Sequence, residues 1–158
     1  MIRIGHAWDT HQLVLGRKLV LGGIKVENRK GLLGHSDADV VLHSVAEALL
    51  GSLALGDLGM HFPDSSEETL DMDSKIILDK CYKMVLDKGY HINNIDITIY
   101  SEDVRISPIR EAIRKSIAEI LNLDVSYVSV KATTWERMGF IGEGLAIASE
   151  CVVLVESD

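Results

Sequence analysis

The stretch Asn93-Asn94-Ile95-Asp96-Ile97-Thr98-Ile99-Tyr100 alternates apolar Ile95, Ile97 and Ile99 with polar partners. A period of two puts the three isoleucines on one side of an extended chain, so the segment reads as a strand with one buried face. Helical signals flank it. Upstream, residues 71–88 keep helical spacing, with Asp73 or Ser74 near the start and Gly89 as the stop. Downstream, Ser107-Pro108 opens a helix to about Leu121, because Pro suits the first helical position and Ser the cap. Residues 125–131 and 145–155 are two further strands, separated by a bend at Gly139, Gly142 and Gly144. Towards the N-terminus, residues 2–8 are β-permissive, and Lys18-Leu19-Val20-Leu21 meets Ile24-Lys25-Val26 across Gly22-Gly23 as a hairpin. A Gly-containing connection, 30–34, leads to a helix capped by Ser36 or Asp37, with Val41, Leu42, Val45, Leu49 and Leu53 on its apolar side and an end near Gly56. This order is neither a βαβα repeat nor all-β. It predicts an α+β fold, an α/β sandwich in which helices cover one face of a mixed four-stranded sheet, with a small hairpin beside it.

Composition sets the outer bounds. At 158 residues the chain fits a single domain spanning 1–158, and 47% hydrophobic against 25% charged residues with only 2 Pro excludes disordered and low-complexity classes. Sixteen Lys and Arg face 24 Asp and Glu, a formal charge of −8, which argues against nucleic acid or an anionic membrane as partner. A phosphate ligand would have to be met by metals, hydroxyls or backbone N–H groups. The 2 Cys, Cys81 and Cys151, have no paired spacing, so neither a disulfide framework nor a cysteine zinc cluster is indicated. The N-terminus has no leader pattern and no apolar run is long enough to span a bilayer, so the expectation is a cytoplasmic protein.

Three groups of residues could carry chemistry. Asp9 and His11, one residue apart just after a strand, point the same way by strand parity, whereas His6 has the opposite parity. With His43 from the first long helix they could give a metal three N/O ligands and leave a position open, and these donor types suit zinc. Taken alone, Asp-x-His describes equally a surface aspartate beside a hydrogen-bonded histidine, which is the commoner situation. The second group is His35-Ser36-Asp37-Ala38-Asp39. Here Asp39, one turn before His43, is a candidate partner for a metal-bound imidazole, and His35 sits where a helix N-terminus could receive a phosphate. In the third, Lys131-Ala132-Thr133-Thr134-Trp135-Glu136, a strand runs into a turn with two hydroxyls and a carboxylate. Thr pairs on strands are usually only β-formers, but hydroxyls can donate to phosphate and Glu136 can hold a cation. Gly139 to Gly144 is not a phosphate-binding glycine loop, since no Gly-Lys-Ser/Thr follows and no helix opens there. His61 and His91, alone in loops, receive no role.

In order along the chain, Gly5-His6-Ala7-Trp8-Asp9-Thr10-His11, His35-Ser36-Asp37-Ala38-Asp39-Val40-Val41-Leu42-His43, Leu55-Gly56-Asp57-Leu58-Gly59, Phe62-Pro63-Asp64 and Lys131-Ala132-Thr133-Thr134 followed by Glu136 resemble the 2-C-methyl-D-erythritol 2,4-cyclodiphosphate synthase family. The resemblance implies a phosphorus-oxygen lyase of the non-mevalonate isoprenoid pathway. Its substrate, 4-diphosphocytidyl-2-C-methyl-D-erythritol 2-phosphate, closes to the cyclic diphosphate and releases CMP. It further implies a homotrimer with sheets facing the threefold axis and active sites between neighbouring subunits. Carried over by residue, Asp9, His11 and His43 match zinc ligands, one Zn2+ per subunit, and Glu136 matches a ligand of a second divalent ion, Mg2+ or Mn2+. His35 and Thr134 match catalytic positions that steady the transferring phosphate. Ser36, Asp57, Leu58, Gly59, Phe62, Pro63, Asp64, Ser65 and Ser66 match or adjoin the methylerythritol phosphate lining. Ser101, Val104, Arg105, Ile106, Ala132 and Thr133 match the cytidine pocket of the adjoining subunit, and Phe140 is a further substrate-binding candidate. The chain departs from the family pattern at Val104-Arg105, Trp135, Glu143 and Leu145. At Glu143 relatives often carry an Arg near the threefold axis, so the carboxylate is expected to turn outward, pair with a base such as Arg137, or share a proton, while Phe140 and Ile141 line an apolar channel.

Overall fold

The computed structural model describes residues 1–63, 65 and 70–158. Its elements are β1 (Ile2–Leu15), β2 (Leu19–Leu21), β3 (Ile24–Val26), β4 (Lys30–Leu32), α1 (Val40–Ser52), α2 (Leu58–His61), α3 (Ser74–Asp87), β5 (His91–Tyr100), α4 (Arg110–Ile120), β6 (Val128–Thr133), α5 (Gly139–Gly142) and β7 (Ala146–Glu156). Five strands form one sheet in the order β4-β1-β7-β5-β6, with β5 and β6 parallel and the other pairs antiparallel; β2 and β3 make a separate hairpin.

The isoleucine alternation decides the packing. Ile95, Ile97 and Ile99 are fully buried on the face that also carries Ile147, Cys151, Val153 and Val155 of β7. Helices α1 and α4 cover that face, α1 against β1 and β7 and α4 against β6, and α3 packs on α1 and α4. Helix α1 is apolar almost all round, because it lies between the sheet and α3. Its only positions that are not buried are His43, Glu47 and Gly51, spaced four residues apart along one stripe. The helix sits close to β1 because residue 5 is glycine: a Cβ there would fall 1.8 Å from the Ala48 carbonyl oxygen.

Several expectations are corrected. The sheet has five strands rather than four, since residues within the expected 30–34 connection pair with the end of β1 as β4. β1 runs on to Leu15, so Asp9 and His11 lie inside a strand and not after it. The cap of α1 is Asp39, not Ser36 or Asp37: its side chain accepts from the N–H groups of Val41 and Leu42. The helix ends at Ser52, short of Gly56. Ser107-Pro108 does not open α4, which begins at Arg110 behind Ile109 without a side-chain cap. Residues Val125–Tyr127 form a 3-10 turn before β6, and the Gly139 bend is a helical turn, α5. His61 closes α2 and His91 opens β5, so neither sits in a loop. Both cysteines are free and buried, and among the described residues no helix is long and apolar enough to cross a membrane.

Candidate active site

Strand parity and the α1 stripe converge at one end of β1. Asp9 and His11 share the side of β1 turned towards α1, and His43 comes down from the helix to meet them. Asp9 Oδ2 stands 3.1 Å from His11 Nε2 and 3.4 Å from His43 Nδ1, and the two ring nitrogens are 3.2 Å apart. Asp9 Oδ2 is buried and sits in the hydrogen-bond geometry of neither ring. Three lone-pair-bearing atoms within 4.8 Å of one another, one of them an orphaned carboxylate oxygen, fit a divalent cation with N/O ligands. Burial pushes the Asp9 carboxyl up, but the adjoining His11 and then His43 rings outweigh it and hold the acid well below the usual carboxylate range. For His11 burial pulls the imidazole down, the Asp9 carboxylate outweighs it, and the net direction is upward. His6 faces away as its parity requires, exposed and bonded to Glu150 at 2.8 Å.

Asp39 does not support the His43 ring. It is fully buried, and its carboxylate accepts from the N–H groups of Gly22 at 2.9 Å and Gly23 at 2.6 Å as well as capping α1. Burial raises this carboxyl to about 6, against the pull of the Gly23, Leu42 and Gly22 N–H groups and with Asp37 adding to the rise. Asp39 therefore ties the hairpin turn to the start of the helix that carries His43. The His43 Nε2 atom instead meets Ser74 Oγ at 2.9 Å and Ser36 Oγ at 3.2 Å.

A cavity of about 540 Å³ opens in front of the trio, and His35, Ser36, Asp57, Leu58, Gly59 and Phe62, positions singled out through the resemblance, line it. Asp57 caps the short α2 by accepting from Met60 N–H at 2.9 Å. Trp8, Gly34, Glu47 and Ile77 complete the wall and were not foreseen. For Glu47 a signal existed, since it lies four residues after His43 on the same stripe. Its carboxylate accepts from Leu58 N–H at 2.8 Å and so joins α1 to α2, and burial outweighs that hydrogen bond to hold the carboxyl above the usual carboxylate range. Pro63 and Ser65 are exposed beyond Phe62, whereas Asp64 and Ser66 lie outside the described residues.

The remaining predicted positions form a second group. Across the sheet Asp9 is opposite Ser149, Ser149 opposite Ile99, and Ile99 opposite Ala132, so β6 lies three strand spacings, roughly 14 Å, from β1. There Ser101 Oγ accepts from Val104 N–H at 3.2 Å and Ser101 N–H donates to the Thr133 carbonyl at 3.1 Å, which ties the 101–106 loop to the end of β6. Ser101, Val104 and Ile106 are buried, while Arg105, Thr133, Thr134 and Glu136 are exposed. Thr134 Oγ1 donates to Glu136 Oε1 at 3.3 Å. Glu136 and Arg137 both hold positive φ, 51° and 62°, an uncommon state for non-glycine residues that turns the chain sharply after the two threonines. The Trp135 backbone N–H donates to Glu102, and its ring meets Tyr100 edge-on and Phe140 at a tilt. Glu143 is exposed and makes no ion pair with Arg137, and Ile141 is buried while Phe140 is exposed. Among the described residues, none of this group lines the cavity in front of the Asp9 trio.

The profile of the YgbB family matches residues 2–156. The 2-C-methyl-D-erythritol 2,4-cyclodiphosphate synthase of Bacillus subtilis (strain 168) is 51% identical over 156 residues, 99% of each chain. The structure of the bifunctional IspDF from Campylobacter jejuni superposes with a TM-score of 0.96 at 34% identity, covering all of this chain and 43% of that longer one. IspF of Plasmodium falciparum, solved as a CDP complex, gives 0.88 at 36% identity over 99% of this chain and 97% of its own. A full-length family match, relatives near half identity and the same arrangement of sheet and helices agree, and the chain belongs to the YgbB family.

Proposed function

We propose that this chain, as one domain over residues 1–158, converts 4-diphosphocytidyl-2-C-methyl-D-erythritol 2-phosphate to 2-C-methyl-D-erythritol 2,4-cyclodiphosphate and CMP. The observation that carries the reading is the convergence of Asp9, His11 and His43 on the wall of a cavity that His35, Ser36 and Phe62 also line. An oxygen of the 2-phosphate forms a bond to the β-phosphorus. The bond from that phosphorus to its bridging oxygen breaks, and the oxygen leaves as part of CMP. The attacking oxygen is already anionic, so no general base is needed and the protein's task is positioning and charge neutralisation.

Asp9, His11 and His43 would hold one Zn2+, and Glu136 would contribute to a Mg2+ or Mn2+ ion; bound there, such cations withdraw charge from the β-phosphate and from the departing CMP. His35 steadies the transferring phosphate from the cavity wall, and the Thr134 hydroxyl does so from the other half of the site once substrate draws it from Glu136. Phe62 and Leu58 limit water, favouring ring closure over hydrolysis. Ser101, Val104, Arg105, Ile106, Ala132 and Thr133 receive the cytidine, with Phe140 at the rim.

In this reading the two groups belong to neighbouring copies of a homotrimer. Ile2, Ile4 and Trp8 of β1 and Val152 of β7 leave large apolar surface exposed on the sheet face opposite the helices, which supports its burial against further copies. The net charge of −8 supports the need for cations at a site that must gather three phosphates. The test is mass detection of the product made from the cytidine diphosphate substrate with zinc and magnesium present. A cyclic diphosphate with CMP is expected; a ring-opened acid would assign a phosphoester hydrolase instead.

A further inference from the structure

The open side of His43 is organised by residues outside the cavity. Ser74, the first residue of α3, is fully buried, and its hydroxyl makes a short hydrogen bond to Asp37 Oδ1. Asp37 acts here as an acceptor at both oxygens. Oδ2 takes the Ser74 N–H at 3.1 Å, and Oδ1 takes the Asp39 N–H at 3.1 Å beside the Ser74 hydroxyl. The Asp37 backbone N–H is itself fixed by donation to the Met72 carbonyl at 3.2 Å. A hydroxyl has one proton. Since Ser74 gives it to Asp37, Ser74 Oγ can only accept from His43 Nε2 at 2.9 Å.

We propose that Asp37 and Ser74 are positioning residues that lock His43 with its proton on Nε2, so that the Nδ1 lone pair is presented to a cation between Asp9 and His11. The direction of the chain is fixed throughout: His43 Nε2–H to Ser74 Oγ, Ser74 Oγ–H to Asp37. Ser36 Oγ, 3.2 Å from the same nitrogen, can share that N–H as a second acceptor. His11 is locked in the complementary sense, because its Nδ1 lies 2.9 Å from the Leu33 carbonyl, which accepts only, and Nε2 is left without a proton. One ring thus offers Nδ1 and the other Nε2, the two atoms found 3.2 Å apart. Outer partners of metal-bound histidines commonly set tautomer and ring orientation in this way.

The inference rests on the proposed metal site, and two independent readouts keep the failures apart. In metal-free, 15N-labelled protein at alkaline pH, the His43 ring should show a pyrrole-like Nε2 and a pyridine-like Nδ1. Ser74→Ala and the isosteric Asp37→Asn should populate the other tautomer and weaken zinc binding, measured by competition with a chelating dye, about ten- to a hundred-fold. Asp37→Asn keeps the shape while replacing an acceptor by a donor, so it remains informative if Ser74→Ala fails to fold. A wild-type ring with its proton on Nδ1 overturns the proposal, as do variants with unchanged tautomer and unchanged zinc affinity. A wild-type Nε2–H ring in a protein that binds no zinc would support the lock and refute the metal reading.

Discussion

The Asp9–His11–His43 group and the Thr134–Glu136 turn sit at opposite sides of the sheet and are built in opposite ways. The first is assembled by the core: β1 supplies Asp9 and His11 by parity, α1 supplies His43 on its one open stripe, and buried Asp39 pins the helix start to the hairpin. The second is exposed, held by a strained turn and a few hydrogen bonds to the 101–106 loop. The first group is assembled within one chain and the second faces outward. Substitutions in the first should therefore disturb fold and chemistry together, and substitutions in the second should disturb chemistry alone.

The largest effect is expected at His43. His43→Ala should abolish stoichiometric zinc and lower turnover by about a thousand-fold, the loss of several kcal/mol of charge stabilisation. Metal analysis with the turnover assay checks this, and full zinc occupancy in the variant would remove His43 from the ligand set. Next comes Asp39. Asp39→Ala strands two hairpin N–H groups and the α1 cap, which should cost about 3 kcal/mol in denaturant unfolding. By contrast Thr134→Ala should shift stability by no more than about 0.5 kcal/mol while impairing turnover. Equal stability losses at the two positions would erase the distinction between the halves.

Two glycines sharpen it further. Gly5→Ala places a methyl group on the Ala48 carbonyl and should cost about 2–3 kcal/mol by pushing α1 and His43 away from β1. Gly51→Ala, on the same helix but with nothing within 4 Å of the new Cβ, should stabilise by about 0.5–1 kcal/mol. Thermal unfolding of the pair distinguishes close packing from helix propensity. The smallest effect concerns Cys81, whose thiol burial pushes up to about 12. It should resist alkylation in the native protein and react on unfolding; rapid native labelling would contradict a closed core beneath α3.

Much of this was legible in the sequence, and the reasons are local. Ile95, Ile97 and Ile99 revealed β5 because period-two burial is a property of neighbours in the chain, and the same parity separated Asp9 and His11 from His6. Residues that act through tertiary contact were misread. Asp39 looked like a partner of His43 because it lies one turn away, yet a carboxylate at a helix start is drawn to N–H groups, here those of Val41 and Leu42 in its own helix and of Gly22 and Gly23 in the hairpin turn. β4 was missed because three residues around a glycine carry no periodicity; it exists because β1 extends far enough to pair with it. Ser74, 31 positions from His43, left no signal at all. The resemblance supplied the Thr134 and Glu136 assignments, which their own spacing did not.

The central claim is that the two halves act together across copies of the chain. In a cyclic trimer each site would take its metal group from one copy and its Thr134 turn from the next. Asp9→Ala and Thr134→Ala subunits, each inactive alone, are refolded together in equal amounts and assayed by mass for the cyclic diphosphate. Random assembly makes three-quarters of the trimers mixed, each with one intact site of three, so about a quarter of wild-type activity should return. Activity no greater than that of the separate variants, in a mixture shown to contain both subunits in one assembly, would contradict the shared site.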